Sequence, residues 1–133
     1  MKKRVTGLGG FFFKSENPDA AKNWYKEHLG LDTDQYGCTF WWKDKEGNDC
    51  STQWSPMDEK TEYFQPSQKQ FMINFRVENL EDLLAALKEE GVTIVGEPEE
   101  YSYGKFGWIL DPEGNKIELW EPVDSEFLDE SEK

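Results

Sequence analysis

Hydrophobic and polar positions run through this chain in one order, twice over. Residues 5–14 alternate, with Phe11 and Phe13 on one side and Gly10, Phe12 and Lys14 on the other, the period of a half-buried strand. Gly7, Gly9 and Gly10 weaken that strand and predict a bend or a close approach of other backbone. The period then changes. Ala20, Ala21, Trp24, Tyr25, His28 and Leu29 share helical spacing behind Asn17 as N-cap and Pro18 at the first helical position, and Gly30 stops the helix. His28, in the last turn, reads as structural. Strands follow at about 38–44 and 49–55, joined by a turn at 45–48.

The second pass has the same grammar. Phe71, Ile73, Phe75 and Val77 are apolar while Met72, Asn74 and Arg76 face the other way. Asn79 caps a helix carrying Leu80, Leu83, Leu84 and Leu87, and Gly91 stops it. A short strand is predicted at 92–95, then an acidic loop holding Tyr101 and Tyr103, then a closing hairpin of 106–111 and 116–121 that includes Trp108. The two turns, Asp44-Lys45-Glu46-Gly47-Asn48 and Asp111-Pro112-Glu113-Gly114-Asn115, correspond, as do the strand ends Trp54-Ser55-Pro56 and Trp120-Glu121-Pro122. The two offsets differ by one residue, which implies a bulge or a changed turn in one hairpin.

The economical reading is an α+β fold of two β-α-β-β-β modules forming curved mixed sheets around a cleft. The modules cover about 4–56 and 70–123, joined by a linker at 57–69, so residues 1–124 form one domain and 125–133 an acidic tail. Each half is too small for a core of its own, so the modules pack together or exchange with a second chain. The linker carries Tyr63-Phe64, too apolar for a purely flexible segment, and reads as a lid or flap.

By period 2, Phe12, Met72, Asn74, Arg76, Glu118 and Trp120 project away from the helix-packing face, and Thr52 and Trp54 are expected to join them. An aromatic wall with a few polar groups is the usual make-up of a small-molecule pocket. Tyr63, Trp108, Tyr101 and Tyr103 complete the expected ligand contacts. A plainer alternative stays open, in which Arg76 pairs with Glu118 and the aromatics fill the barrel. Whether Trp41 or Trp42 faces the cleft also stays open.

Charge narrows the partners. The 133 residues carry a net charge of −13, which disfavours nucleic-acid phosphates and favours a neutral or cationic ligand. No apolar run approaches a membrane span and no secretory signal is evident, so a cytoplasmic location is expected. The hairpin register keeps Cys38 and Cys50 apart, which predicts free thiols.

The doubled unit, with His28-Leu29-Gly30-Leu31 at the first helix end and Asp111-Pro112-Glu113-Gly114-Asn115-Lys116-Ile117-Glu118-Leu119 at the last strand, resembles the vicinal oxygen chelate superfamily. That group contains glyoxalase I, bleomycin-resistance proteins, extradiol dioxygenases and methylmalonyl-CoA epimerase. The resemblance implies a curved, partly open barrel, often assembled across a homodimer. In metal-using members it implies four cleft ligands, one from the first and one from the last strand of each module. Glu118 keeps a carboxylate at the last-strand position. The other positions hold Met72, Gly10 or Phe11, and Thr52 or Ser51, with Gln53 available only after a one-residue slip. A catalytic zinc takes at least three protein ligands, so no cofactor is expected and a divalent metal is the less favoured alternative.

The leading expectation is a metal-independent protein of the bleomycin-resistance type, binding an aromatic or cationic small molecule. The alternative is a glyoxalase-like lyase or isomerase. There Glu118, desolvated among Trp120, Met72 and Phe12, acts as general base while Arg76 and Asn74 hold an oxyanion. A third reading, an interaction module using the loops at 57–69 and 97–105, rests only on their length and aromatics.

Overall fold

The structure is a computed structural model and describes residues 4–127. Its elements are β1 (Val5–Ser15), α1 (Pro18–Leu29), β2 (Cys38–Lys43), β3 (Asp49–Asp58), β4 (Phe71–Val77), α2 (Leu80–Glu89), β5 (Glu99–Tyr101), β6 (Gly104–Leu110) and β7 (Lys116–Pro122), followed by a 3-10 turn at Asp124–Phe127. All seven strands form a single mixed sheet in the order β2-β3-β1-β4-β7-β6-β5. The fold class is the expected α+β, and the modules meet within one chain. Their first strands, β1 and β4, run antiparallel at the centre, and each lies parallel to the last strand of its own module, β3 or β7. The central register is itself twofold: Gly10 pairs with Asn74 and Phe12 with Met72, and exchanging the modules turns one pair into the other.

Both helices cover the same face. Leu80, Leu83, Leu84 and Val77 form a core with Leu119, against which Phe75, Ile109 and Ile117 pack. Gly107 permits the close approach of α2, because a Cβ there would stand 2.8 Å from Leu84 Cδ1. On the opposite, helix-free face, Phe64, Met72 and Trp108 form a second cluster with Phe12, Met57 and Phe106 at its edge. Phe64, fully buried, comes from the segment joining the modules. The linker is therefore folded onto the sheet as a flap.

The two corresponding turns close by the same bonds. Asp44 Oδ1 accepts from the backbone N–H groups of Glu46 and Asn48, each at 2.9 Å, and Asp111 Oδ1 accepts from those of Glu113 and Asn115 at the same distance. Gly47 and Gly114 supply the positive φ, 85° and 82°.

Three expectations change. The strand predicted at 92–95 is reduced to a single bridge between Ile94 and Ile109, and the three-residue β5 falls in the stretch read as an acidic loop. The β-branched residues suggested a strand, but positive-φ glycines at Gly91 and Gly96 bracket the segment and allow it only two backbone bonds onto β6. Second, β3 continues to Asp58 because Phe13, Lys14 and Ser15 of β1 pair with Pro56, Met57 and Asp58, which shortens the flap. Third, Cys38 stands opposite Trp54 and Cys50 opposite Trp42, one residue from the partners, about Ser55 and Lys43, that a hairpin closing on the turn at 45–48 predicts. Both thiols are free, as expected; both are also buried, and burial pushes each thiol pKa up. Among the described residues no helix is long and apolar enough to cross a membrane.

Candidate functional site

Alternation along β7 sets Lys116, Glu118 and Trp120 on the helix-free face. Parallel pairing with β4 then fixes the neighbours: Asn74 lies beside Glu118 and Arg76 beside Trp120. Across the four central strands Gln53, Gly10, Asn74 and Glu118 stand in one row.

Glu118 is 2% exposed. Its Oε1 accepts from Asn74 Nδ2 at 2.7 Å, and its Oε2 accepts from Trp108 Nε1 at 2.8 Å and from the Tyr63 hydroxyl. A buried carboxylate is tolerated only with its lone pairs engaged, and here three neutral donors engage them. The bond to Glu118 turns the Asn74 amide so that its Oδ1 faces Gly9, where it has no hydrogen-bond partner among the described residues. A Cβ on Gly9 would overlap that oxygen, so the first-strand glycine makes room for the site. Burial, then the charge and hydrogen bond of Glu118, push the Tyr63 phenol far up, which keeps it a donor. Lys116 Nζ donates to the Tyr63 carbonyl at 2.6 Å and lies 5.1 Å and 5.5 Å from the Tyr63 and Trp108 ring centroids. Burial pushes its ammonium pKa down, with the charge of Glu118 opposing.

Arg76 does not pair with Glu118. It forms a two-pronged bond to Asp124, at 2.7 and 2.6 Å, and donates to the Ser51 carbonyl at 3.0 Å. The Ser51 amide and hydroxyl donate to the same carboxylate, and the guanidinium lies between the rings of Trp42 and Trp120, at 5.5 and 5.3 Å. Burial alone would raise the Asp124 carboxyl, but the bonds from Arg76 and Ser51 and the charge of Arg76 outweigh it and hold it below its ordinary value. The partner of Arg76 thus comes from beyond the last strand, from the residue just before the acidic tail. It also leaves Arg76 committed rather than free to hold an oxyanion.

The structure brings Glu118, Asn74, Trp108, Tyr63, Met72 and Phe12 together on one face. Trp120 sits one rung away, donating to the Tyr103 carbonyl at 2.9 Å and stacking on Phe106. Tyr101 and Tyr103 stack on each other at 5.3 Å, and both are exposed at the rim beside Phe106. Thr52 and Trp54 do not join the site. Trp54 packs on Phe13 and on Tyr25 of α1, while Thr52 bonds the Leu8 carbonyl and accepts from Trp42. The parallel register with β1 gives the inward places to Gln53, Ser55 and Met57, so Trp54 among them points to the helices. Trp42 rather than Trp41 reaches the site's neighbourhood, through Arg76. Two further residues at the site, Phe64 and Lys116, carried sequence signals: an apolar pair in a polar linker, and a place in the same alternation as Glu118.

The flap fills the space above Glu118. A surface hollow of about 530 Å³ lies elsewhere, by the start of α1, lined by residues that include Pro18, Lys22, Tyr36 and Met57. The donor set does not fit a divalent ion. Gly10 offers no side chain, Met72 is a thioether packed against Phe64 and Trp108, and Gln53 Oε1 already accepts from Thr39 at 2.8 Å. Among the described residues no three His, Cys, Asp or Glu side chains are placed to share a metal.

Comparison with solved structures finds the same fold repeatedly. Methylmalonyl-CoA epimerase from Mycobacterium tuberculosis aligns with a TM-score of 0.61 at 21% identity, covering 92% of each chain. A variant of the Streptomyces coelicolor methylmalonyl-CoA epimerase in complex with 2-nitronate-propionyl-CoA aligns at 0.64 and 16% identity, covering 90% of this chain and 99% of that one. A Legionella pneumophila structure described as an NAD-dependent benzaldehyde dehydrogenase aligns at 0.53 and 17%, covering 86% and 98%. Likeness at these identities is a likeness of fold. No curated protein matches the sequence. The sequence profile of the Glyoxalase/Bleomycin resistance protein/Dioxygenase superfamily matches residues 11–119, and the protein belongs to that superfamily.

Proposed function

We propose that this protein binds a small aromatic molecule on its helix-free face, without a metal, using Glu118 as the polar anchor. One observation carries the reading: a buried carboxylate held by Asn74, Trp108 and Tyr63 inside an aromatic cluster. Rigid strands aim that carboxylate, and the surrounding rings offer stacking area, the two ingredients of a specific pocket. Lys116 lies close to Glu118, and Arg76 and Asp124 neutralise each other, so aromatic character rather than positive charge selects the ligand. The test is a titration of metal-stripped protein, in chelator, with a panel of aromatic compounds, read by tryptophan fluorescence. A saturable ligand is expected, weakened about tenfold or more by Glu118→Gln, since hydrogen bonds to a charged group are worth roughly 1.5–3 kcal/mol. Undiminished affinity in that variant removes Glu118 from the reading.

A second reading is favoured by the aim of the carboxylate. With Tyr63 withdrawn, Glu118 Oε2 gains a free direction while Asn74 and Trp108 still hold the group, the geometry of a general base. The epimerase neighbours make a lyase or isomerase the class to assay. On that reading Glu118→Gln abolishes turnover while leaving substrate affinity nearly unchanged.

A further inference from the structure

Tyr63 touches the proposed site as a ligand would. It is 40% exposed as a residue, yet its hydroxyl reaches a carboxylate that is 2% exposed. Its ring meets Trp108 edge-on at 6.2 Å, and its carbonyl accepts from Lys116 Nζ at 2.6 Å. The next residue, Phe64, is fully buried and anchors the flap, so Tyr63 can swing out while the flap stays attached. What remains does not depend on Tyr63: Asn74 and Trp108 come from β4 and β6 and hold Glu118 by themselves. Departure of its side chain leaves an acceptor on Glu118 Oε2, while Lys116, whose ammonium has three N–H donors, keeps its bond to the Tyr63 backbone carbonyl and offers a further donor nearby.

We infer that Tyr63 is a built-in competitor and that the ligand of this site is a neutral 4-hydroxyphenyl compound bearing a carbonyl oxygen. Its hydroxyl donates to Glu118 Oε2 and its carbonyl accepts from Lys116. This deepens the small-molecule reading above and rests on it. Charge supports neutrality. An amine ligand would bring a second cation beside Lys116, an anionic one would face Glu118, and a neutral phenol meets neither penalty. An internal group at the site also lowers apparent affinity by the fraction of time the site is closed.

N-Acetyltyrosinamide carries this pattern, N-acetylphenylalaninamide lacks only the hydroxyl, and tyramine is the cationic counterpart. Calorimetric titration of full-length wild type, Tyr63→Phe and Tyr63→Ala, each shown by circular dichroism to be folded, provides the test. N-Acetyltyrosinamide is expected to bind Tyr63→Ala about tenfold or more tighter than it binds wild type, and about tenfold or more tighter than N-acetylphenylalaninamide binds Tyr63→Ala. Tyr63→Phe, which keeps the ring but not the bond, is expected to fall between wild type and Tyr63→Ala. Adding Glu118→Gln to Tyr63→Ala is expected to remove the preference for the hydroxyl. Equal binding of the two amides by Tyr63→Ala, or tighter binding of tyramine, overturns the inference. If non-hydroxylated aromatics then bind metal-free protein in a Glu118-dependent way, the broader proposal survives its loss. Absence of binding by any aromatic in every form overturns both.

Discussion

The two halves of the chain use the same turns and the same Asn-capped helices, but they spend their buried positions differently. Counted from the N-caps, Leu84 in α2 corresponds to Lys22 in α1. Leu84 lies in the main core, whereas Lys22, the buried residue of its helix, sends Nζ to the Gln35 carbonyl at 2.6 Å. The same offset sets Asn74 against Phe12 and Arg76 against Lys14, so the polar equipment of the helix-free face is concentrated in the second half. There the first half contributes chiefly room and rings, through Gly9, Gly10 and Phe12. A repeated backbone thus serves two tasks, since pairing the first strands lets one module supply chemistry and the other supply wall.

The largest expected effect comes from a contact without a counterpart in the first repeat. Asp124→Ala leaves Arg76 buried and unpaired and is expected to cost about 3–5 kcal/mol in urea unfolding, as breaking a buried ion pair does. The pH dependence has a definite sign. Because the folded Asp124 carboxyl lies below the ordinary 3.8, its contribution is fully present above that pH and is lost as pH falls through the folded value. Asp124→Asn removes this part of the acid sensitivity, and an unchanged acid limb would show that the pair contributes nothing. Next, Leu84→Ala is expected to cost roughly 2–5 kcal/mol and its counterpart Lys22→Ala about 1, so equal losses would erase the asymmetry of the helices. The smallest effects test likeness. Asp44→Ala and Asp111→Ala each remove the same pair of turn bonds and are expected to cost about 1 kcal/mol apiece, with midpoints shifting together. A clear difference between them would mean that only one turn is held by its aspartate.

Much of this was legible in the sequence because it depends on period. The alternation of Met72, Asn74 and Arg76, and of Lys116, Glu118 and Trp120, foretold which side chains share a face, and the capped helices foretold the core around Leu80 and Leu84. Register was harder. Trp54 packs on the helix side and Thr52 turns to Trp42, because one residue of slip inverts a strand and alternation within β3 does not say where its pairing with β1 begins. Partner choice was hardest. Arg76 could have joined Glu118 by face and proximity, and what diverts it is an aspartate beyond the strand, where alternation carries no information. Likewise the Tyr63-Phe64 pair was visible as an apolar interruption, but its landing on Glu118 depends on the path of the flap across the sheet.

The Asp124–Arg76 clasp also bears on how a working fragment of this protein can be cut. Sequence similarity to the superfamily ends at residue 119 and the last strand at Pro122, so either suggests a stop codon near 122. A chain stopped there would keep every strand and both helices yet lack the counter-ion for a guanidinium whose side chain is 6% exposed. The shortest sound recombinant product therefore extends through Asp124, and an affinity tag at this end needs a spacer placed after Phe127, whose ring rests on Trp120.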